Sequence, residues 1–278
     1  MLKLMYITNR TDVAQVAQRV GVDRIFVDME YIGKDARQKG LDTVKSHHTV
    51  NDVRNLRQVL QTSELLVRVN PIHEASPEYD SSEEEIDAVI DAGADIVMLP
   101  YFKTAAEVRR FLKAVGGRAK TMLLMETPEA AEAADEIVRL PGIDEIHIGI
   151  NDMSLGRGRK FMFELLADGT VERLFGIIKA VGIPCGFGGI AALGKGLLPS
   201  EYVIREHYRL GSSFAILSRS FCNTNLIPEI ERIEPIFREG VGAIREFETQ
   251  CSLHPELFEE NRQTVIEKVN AICELLYE

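Results

Sequence analysis

The feature that most limits what this chain can fold into is an alternation. Short β-rich runs, each followed by an amphipathic stretch, recur about every 25 to 40 residues. The pattern predicts strands at residues 4–8, 24–29, 65–70, 96–101, 121–125, 145–150, 184–187 and 214–217. It predicts helices at 12–20, 50–60, 83–92, 105–115, 128–140, 171–181 and 201–210. Thr11, Ser81 and Thr127 stand where N-terminal caps belong, and Gly21, Gly93, Gly116, Gly182 and Gly211 stand where helices close. Strands that are apolar on both faces are covered on both faces, and eight strand–helix units of this kind fit a (β/α)8 TIM barrel. A doubly wound open sheet fits less well. It needs a reversal of strand order, and no Gly-x-Gly-x-x-Gly fingerprint follows an early strand.

Two segments stand outside the repeat. Residues 31–47 are polar and rich in both signs of charge, and they follow strand two, where a barrel carries its active-site loops. After strand eight, helical stretches run over 226–250 and 255–276, one more than the barrel needs. The chain therefore divides into a barrel core, 1–225, and C-terminal helices, 226–278, that close the barrel or pack on a neighbouring subunit.

Composition narrows the function. Of 278 residues, 45% are hydrophobic, enough for one large core, and 32 basic against 43 acidic residues leave a net charge of −11. Such a surface disfavours nucleic acid and anionic lipid as partners. Cys185, Cys222, Cys251 and Cys273 have no paired spacing, so they read as buried thiols rather than a disulfide framework or zinc site. The N-terminus turns polar after seven residues, and no apolar run reaches the roughly 18 residues of a membrane span. A cytoplasmic protein is expected.

In a barrel, the C-terminal ends of the strands face the active site. Those ends carry Asn9, Arg10, Asp28, Glu30, Arg68, Asn70, Pro100, Glu126, Asn151, Asp152, Gly188, Gly189 and Arg219. Glu126 and Asp152 end neighbouring strands and can approach within bridging distance of a hard divalent ion; alternatively, Asp152 caps the next helix. Arg68 closes an otherwise apolar run and needs a buried anion, either Glu30 or an anionic ligand. Backbone N–H groups around Gly149–Asp152 can hold a carboxylate, or simply make a tight turn. His48, ahead of the candidate caps Asn51 and Asp52, is placed either as a proton shuttle or as a helix-start contact.

The runs FVDMEY, LLVRVN, AGADIVMLPYFKTAAEV, LLMETPEA and IHIGINDMSLGRG, in this order, resemble the HpcH/HpaI aldolase and citrate lyase β-subunit family over roughly residues 4–221. The resemblance implies a phosphoenolpyruvate/pyruvate-binding barrel, assembled as a homo-oligomer (trimer or hexamer). It also implies a class II aldolase, dependent on Mg2+ (or Mn2+ or Co2+), that joins or splits a 2-keto-4-hydroxy acid into a keto acid and an aldehyde through a pyruvate enolate. By position, Glu126 and Asp152 match the metal-binding carboxylates and Arg68 the arginine facing the enolate oxygen. Gly149, Asn151 and Asp152 match the segment that holds the substrate carboxylate. Asp28 and Glu30 match the acids that position metal-bound water and the arginine. Tyr31 occupies the place of the family's usual histidine, and His48, followed by Thr-Val-Asn-Asp, resembles the continuation of that motif after an insertion. Catalytic roles are thus expected for Arg68, His48 and Glu30. The alternatives are a citryl- or malyl-coenzyme A lyase, which commonly has lysine where Tyr101 follows Leu99-Pro100, a Schiff-base aldolase using Lys103 or Lys120, and a non-catalytic metal-binding barrel.

Overall fold

The computed structural model describes residues 1–33 and 47–277. The expectations for residues 34–46, most of the polar segment after strand two, lie outside the described residues.

Nine parallel strands form the wall of a TIM-barrel-like fold. They are β1 (Lys3–Ile7), β2 (Arg24–Asp28), β3 (Glu64–Arg68), β4 (Ile96–Leu99), β5 (Lys120–Met125), β6 (Glu145–Ile148), β7 (Cys185–Phe187), β8 (Gly189–Ile190) and β9 (Phe214–Leu217). Their order in the sheet is β7-β6-β5-β4-β3-β2-β1-β9-β8. The ninth strand arises because the chain, beyond the expected seventh strand, resumes pairing on the far side of Gly188. Gly188, at φ +49°, separates β7, which pairs with β6, from β8, which pairs with β9. A side chain at Gly188 would also meet Ile150, so the break needs glycine. The Ser213 N–H donates to the Cys185 carbonyl at 2.7 Å and the Ser218 N–H to the Ile190 carbonyl at 2.8 Å, which brings the two ends of the sheet together.

Between the strands lie α1 (Thr11–Arg19), α2 (Val50–Val59), α3 (Ser82–Asp91), α4 (Ala105–Val115), α5 (Pro128–Glu132), α6 (Ala134–Ile137), α7 (Ile150–Gly156), α8 (Glu164–Ala167), α9 (Thr170–Ala180) and α10 (Ser200–Leu210). The starts of α3 and α5 follow the expected caps, with Ser81 accepting from Glu84 N–H and Thr127 from Ala130 N–H. Thr11 does not cap: it is the first helical residue, behind Arg10, which makes no side-chain cap. The cap of α2 is Thr49 in a reciprocal box with Asp52, rather than Asn51 or Asp52 itself. The single helix expected at 128–140 is two, divided at Ala133, whose ψ of +8° leaves the helical range.

The period of two along the strands sorts side chains into two layers. Met5, Phe26, Leu66, Ile96, Met98, Met122, Leu124 and Phe214 fill the barrel, and the alternate residues pack against the helices. At the floor, Arg24 is fully buried, with Nη1 and Nη2 2.6 and 2.7 Å from the Glu145 carboxylate and Nε 2.8 Å from Glu64. Gly186 opposes Phe214 so closely that an added Cβ would lie 2.2 Å from the Phe214 carbonyl oxygen. No rotamer relieves a clash with backbone. Gly186→Ala is therefore expected to destabilise the fold by about 3 kcal/mol, read as a lowered urea midpoint at unchanged slope.

Two histidines are buried in this framework. His147 faces Phe214 inside the barrel, and His207 of α10 stacks on Phe187 with ring centroids 3.9 Å apart. Burial pushes both rings down to about 3. The unfolded chain takes up these protons near pH 6.5 and the native chain does not, so stability is full above that pH and drains away as pH falls toward 3. Each ring is expected to remove about 1.4 kcal/mol per pH unit in this window. Urea titrations at pH 7, 6 and 5 check this; a flat midpoint would refute it.

Two long helices follow the barrel, α11 (Ile230–Leu253) and, after a 3-10 turn at Pro255–Leu257, α12 (Phe258–Tyr277). The latter packs on α8 and α10 of its own chain. Its last residue is tied down: the Tyr277 hydroxyl donates to Glu164 at 3.2 Å and accepts from the Lys160 N–H at 3.0 Å. No helix among the described residues is long and apolar enough to cross a membrane.

Candidate active site

Parallel strands in register deliver their last residues to one rim. Asp28 and Arg68 are register partners at the ends of β2 and β3. The Arg68 guanidinium lies on the Asp28 carboxylate through Nε and Nη2, both at 2.8 Å, and Nη1 lies 3.4 Å from Glu30. Asp28 and Glu30 are each only 2% exposed. Burial works against the charge on Arg68, but Asp28 and Glu30, with the field of Glu126, outweigh it and hold the guanidinium firmly protonated. Of the two partners left open by the sequence, Glu30 is present, and Asp28 joins it: Arg68 is oriented by two carboxylates.

Glu126 directly follows β5 and is 4% exposed. Its Oε1 accepts the Tyr101 N–H at 3.0 Å. Tyr101 sits at φ +49°, the only non-glycine residue with positive φ among those described. Such a conformation costs of order 1 kcal/mol and is retained where the surroundings enforce it; here it aims a backbone donor at a carboxylate. Sequence reading missed this, because left-handed positions are signalled by glycine or asparagine and not by tyrosine.

Gly149 follows β6, next to β5 in the sheet, and precedes α7. A Cβ there would lie 2.6 Å from Glu126 Cβ and 2.8 Å from its Oε2. The glycine is what lets Glu126 lie against the backbone that leads into Asp152. Asp152 occupies the first turn of α7 without capping it, since the N-cap is Gly149 and makes no side-chain bond. The exposed Asn151 donates to Asp152 Oδ1 at 3.1 Å. The two carboxylates therefore follow adjacent parallel strands at one rim of the barrel, with Glu126 seated against Gly149 where a methyl group would not fit.

Among the described residues, no group of three or more His, Cys, Asp or Glu side chains is arranged to hold a metal by itself. A pair of carboxylates is instead the donor set that suits Mg2+, a hard ion bound through one or two carboxylates with water and substrate oxygens completing its shell. Glu126 and Asp152 fit such an ion.

His48 returns to the rim after the segment at 31–47. It is 8% exposed, and its Nδ1 accepts the Asp28 N–H at 3.0 Å. That bond places the proton of the neutral ring on Nε2. As arranged, His48 is a donor at Nε2; the general-base role expected for it would require Nδ1 to release Asp28. The entry and exit of the polar segment are pinned together. The Tyr31 hydroxyl donates to the His48 carbonyl, and Asn70 Oδ1 accepts from the N–H groups of Tyr31 at 2.8 Å and Ile32 at 2.9 Å.

The lysines of a Schiff-base mechanism are elsewhere engaged. Lys103 Nζ is 2.9 Å from Glu129 on the surface, and Lys120 begins β5 at the opposite end of the barrel, bound to Glu64. Their carboxylate partners raise both ammonium pKa values, which keeps them protonated and poorly nucleophilic.

Asp28, His48 and Arg68 form one wall of a cleft of about 330 Å3. Residues 3–163, which include Asp28, Glu30, His48, Arg68, Glu126 and Asp152, match the HpcH/HpaI aldolase/citrate lyase family model. The chain belongs to that family. Among solved structures, the fold is similar to an HpcH/HpaI aldolase from Desulfitobacterium hafniense DCB-2 (14% identity, TM-score 0.59, covering 84% of this chain and 93% of that one). It is also similar to an HpcH/HpaI aldolase/citrate lyase family protein from Burkholderia cenocepacia J2315 (14%, TM-score 0.60, 84% and 94%). A third is the citrate lyase β-subunit from M. tuberculosis, complexed with oxaloacetate and magnesium (17%, TM-score 0.56, 86% and 96%). No curated protein matches the sequence.

Proposed function

We infer that this family member is a divalent-metal-dependent carbon–carbon lyase, an aldolase that splits or forms a 2-keto-4-hydroxy acid through a pyruvate enolate. The observation that carries this reading is the shared rim of Glu126 and Asp152 beside a guanidinium that is partly buried, oriented and permanently charged. Mg2+, Mn2+ or Co2+ held by Glu126 and Asp152 would supply Lewis-acid stabilisation of the enolate. Magnesium is present in the M. tuberculosis citrate lyase subunit, which supports the choice.

The protein's own groups divide the remaining work. Arg68 places positive charge on the oxygen that becomes the enolate, and Asp28 and Glu30 prevent it from turning away. The N–H groups at the start of α7, around Gly149 and Asn151, receive the substrate carboxylate. In the cleavage direction the 4-hydroxyl proton leaves, the C3–C4 bond breaks, the aldehyde departs and the electron pair remains as the enolate. We assign that proton to water held against Glu30, and to His48 Nε2–H the role of hydrogen-bonding a substrate oxygen. The keto acid and aldehyde are the expected partners, in a cytoplasmic homo-oligomer whose core and C-terminal helices divide at 225/226.

The test is exchange of the pyruvate C3 protons for deuterium in D2O, followed by NMR. Exchange that needs a divalent ion, ceases with EDTA and returns on adding Mg2+ or Mn2+ is the expected result. Undiminished exchange by metal-stripped protein would overturn the reading.

A further inference from the structure

The strand end that carries Arg68 fastens the chain leaving β2 a second time, two residues further on, through Asn70. Along that exit every backbone N–H from Met29 to Ile32 is bound. The Met29 N–H donates to the Arg68 carbonyl at 2.9 Å, and the Glu30 N–H to Asp28 Oδ1 at 3.2 Å. The next two, of Tyr31 and Ile32, converge on the single oxygen Oδ1 of Asn70 at 2.8 and 2.9 Å. Glu30 thus stands between two fixed points, and Asn70 supplies the outer one.

A carboxamide can do this only one way round, because turned over its NH2 would face two N–H groups. The orientation is set from behind by Glu85 of α3. Its Oε1 accepts from Asn70 Nδ2 at 2.9 Å, and its Oε1 and Oε2 accept the Asn70 backbone N–H at 3.3 and 3.2 Å. An ionised carboxylate only accepts, so it admits the amide in one orientation. The other two acids at this helix start have different work: Glu83 pairs with Arg110, and Glu84 closes the cap on Ser81. Burial raises the Glu85 carboxyl, and the donors of Asn70 oppose that rise.

Resting on the aldolase reading above, we propose that Glu85, acting through Asn70, is a positioning residue for Glu30. Glu85 orients the carboxamide, and the carboxamide holds the backbone just beyond Glu30. The Glu30 carboxylate is thereby kept 3.4 Å from Arg68 Nη1, in the place where it holds the proton-accepting water. In pyruvate exchange the C3 proton passes to that water, its electron pair stays as the enolate, and a solvent deuteron returns to C3. Misplacing such a group by about 1 Å can cost on the order of a hundredfold in rate.

The experiment measures deuterium exchange at pyruvate C3 with Mn2+-loaded wild type, Asn70→Asp, Glu85→Gln and the double variant. Each rate is expressed per Mn2+ bound in a water-relaxation titration, so unfolded protein is not counted. Asn70→Asp sets a carboxylate against the Glu85 carboxylate, and Glu85→Gln sets an amide against an amide. Each is expected to lower exchange at pH 7 by about tenfold or more. Each should also make the rate climb with pH as hydroxide takes over, where wild type is level from about pH 7 to 9. In the double variant the glutamine amide donates to the new carboxylate, whose other oxygen still accepts from Tyr31 and Ile32. Its rate is expected to return to within about threefold of wild type, with a level profile. Single variants with unchanged rates, rates that fall without a change of profile, or a double variant no better than the poorer single one would each overturn the positioning role and leave the lyase reading intact. Absence of Mn2+-dependent exchange in the wild type would overturn both.

Discussion

Glu126→Gln and Asp152→Asn are each expected to lower metal-dependent pyruvate exchange by at least about a thousandfold, the order lost when a main electrostatic element of such a site is removed. The substitutions are informative because they change so little else. Glutamine at 126 keeps the carbonyl oxygen that accepts the Tyr101 N–H and keeps the volume that Gly149 accommodates. What disappears is one negative charge from a hard-ion donor set. Near-wild-type thermal stability, with affinity for Mn2+ lost in a water-relaxation titration, is the expected companion result. Exchange surviving either substitution would remove the carboxylate pair from the mechanism.

Arg68→Met is expected to act twice. It removes the charge facing the enolate, lowering exchange by about a hundredfold to a thousandfold. It also strands Asp28 and Glu30, which are buried against that guanidinium, at a cost of about 3–5 kcal/mol in stability. Arg68→Lys separates the two effects. An ammonium restores much of the charge balance but cannot contact Asp28 through two nitrogens, as Nε and Nη2 now do at 2.8 Å. Its urea midpoint should recover most of the way, while exchange stays low. A lysine variant with full exchange would show that charge alone suffices and that the planar fork is irrelevant.

Much of this architecture could be read from the amino acids because strands buried on both faces leave long apolar signatures. All eight expected strands overlap observed ones, and Asp28, Arg68 and Glu126 stand at one rim because parallel register carries strand ends together. What escaped was decided by tertiary geometry. The interruption at Gly188 looks like an ordinary Gly-Gly pair until the Ile150 side chain is seen beside it. The division at Ala133 falls in a run of good helix formers with no breaker. Tyr101 and the Nδ1 contact of His48 are settled by which neighbour arrives at a backbone N–H, and no local pattern records that.

The stem formed by Tyr31, His48 and Asn70 makes the stretch between its ends interchangeable in principle. With both exits fastened, the entropy of closing that stretch grows only with the logarithm of its length, so doubling it adds about 0.6 kcal/mol. Evolution, or a protein engineer, can then graft sequences of very different size at this corner of the barrel without shifting the imidazole that follows. The position of His48 and the sequence between the fastened ends become separately adjustable, so that the corner can vary while the rim beside it holds still.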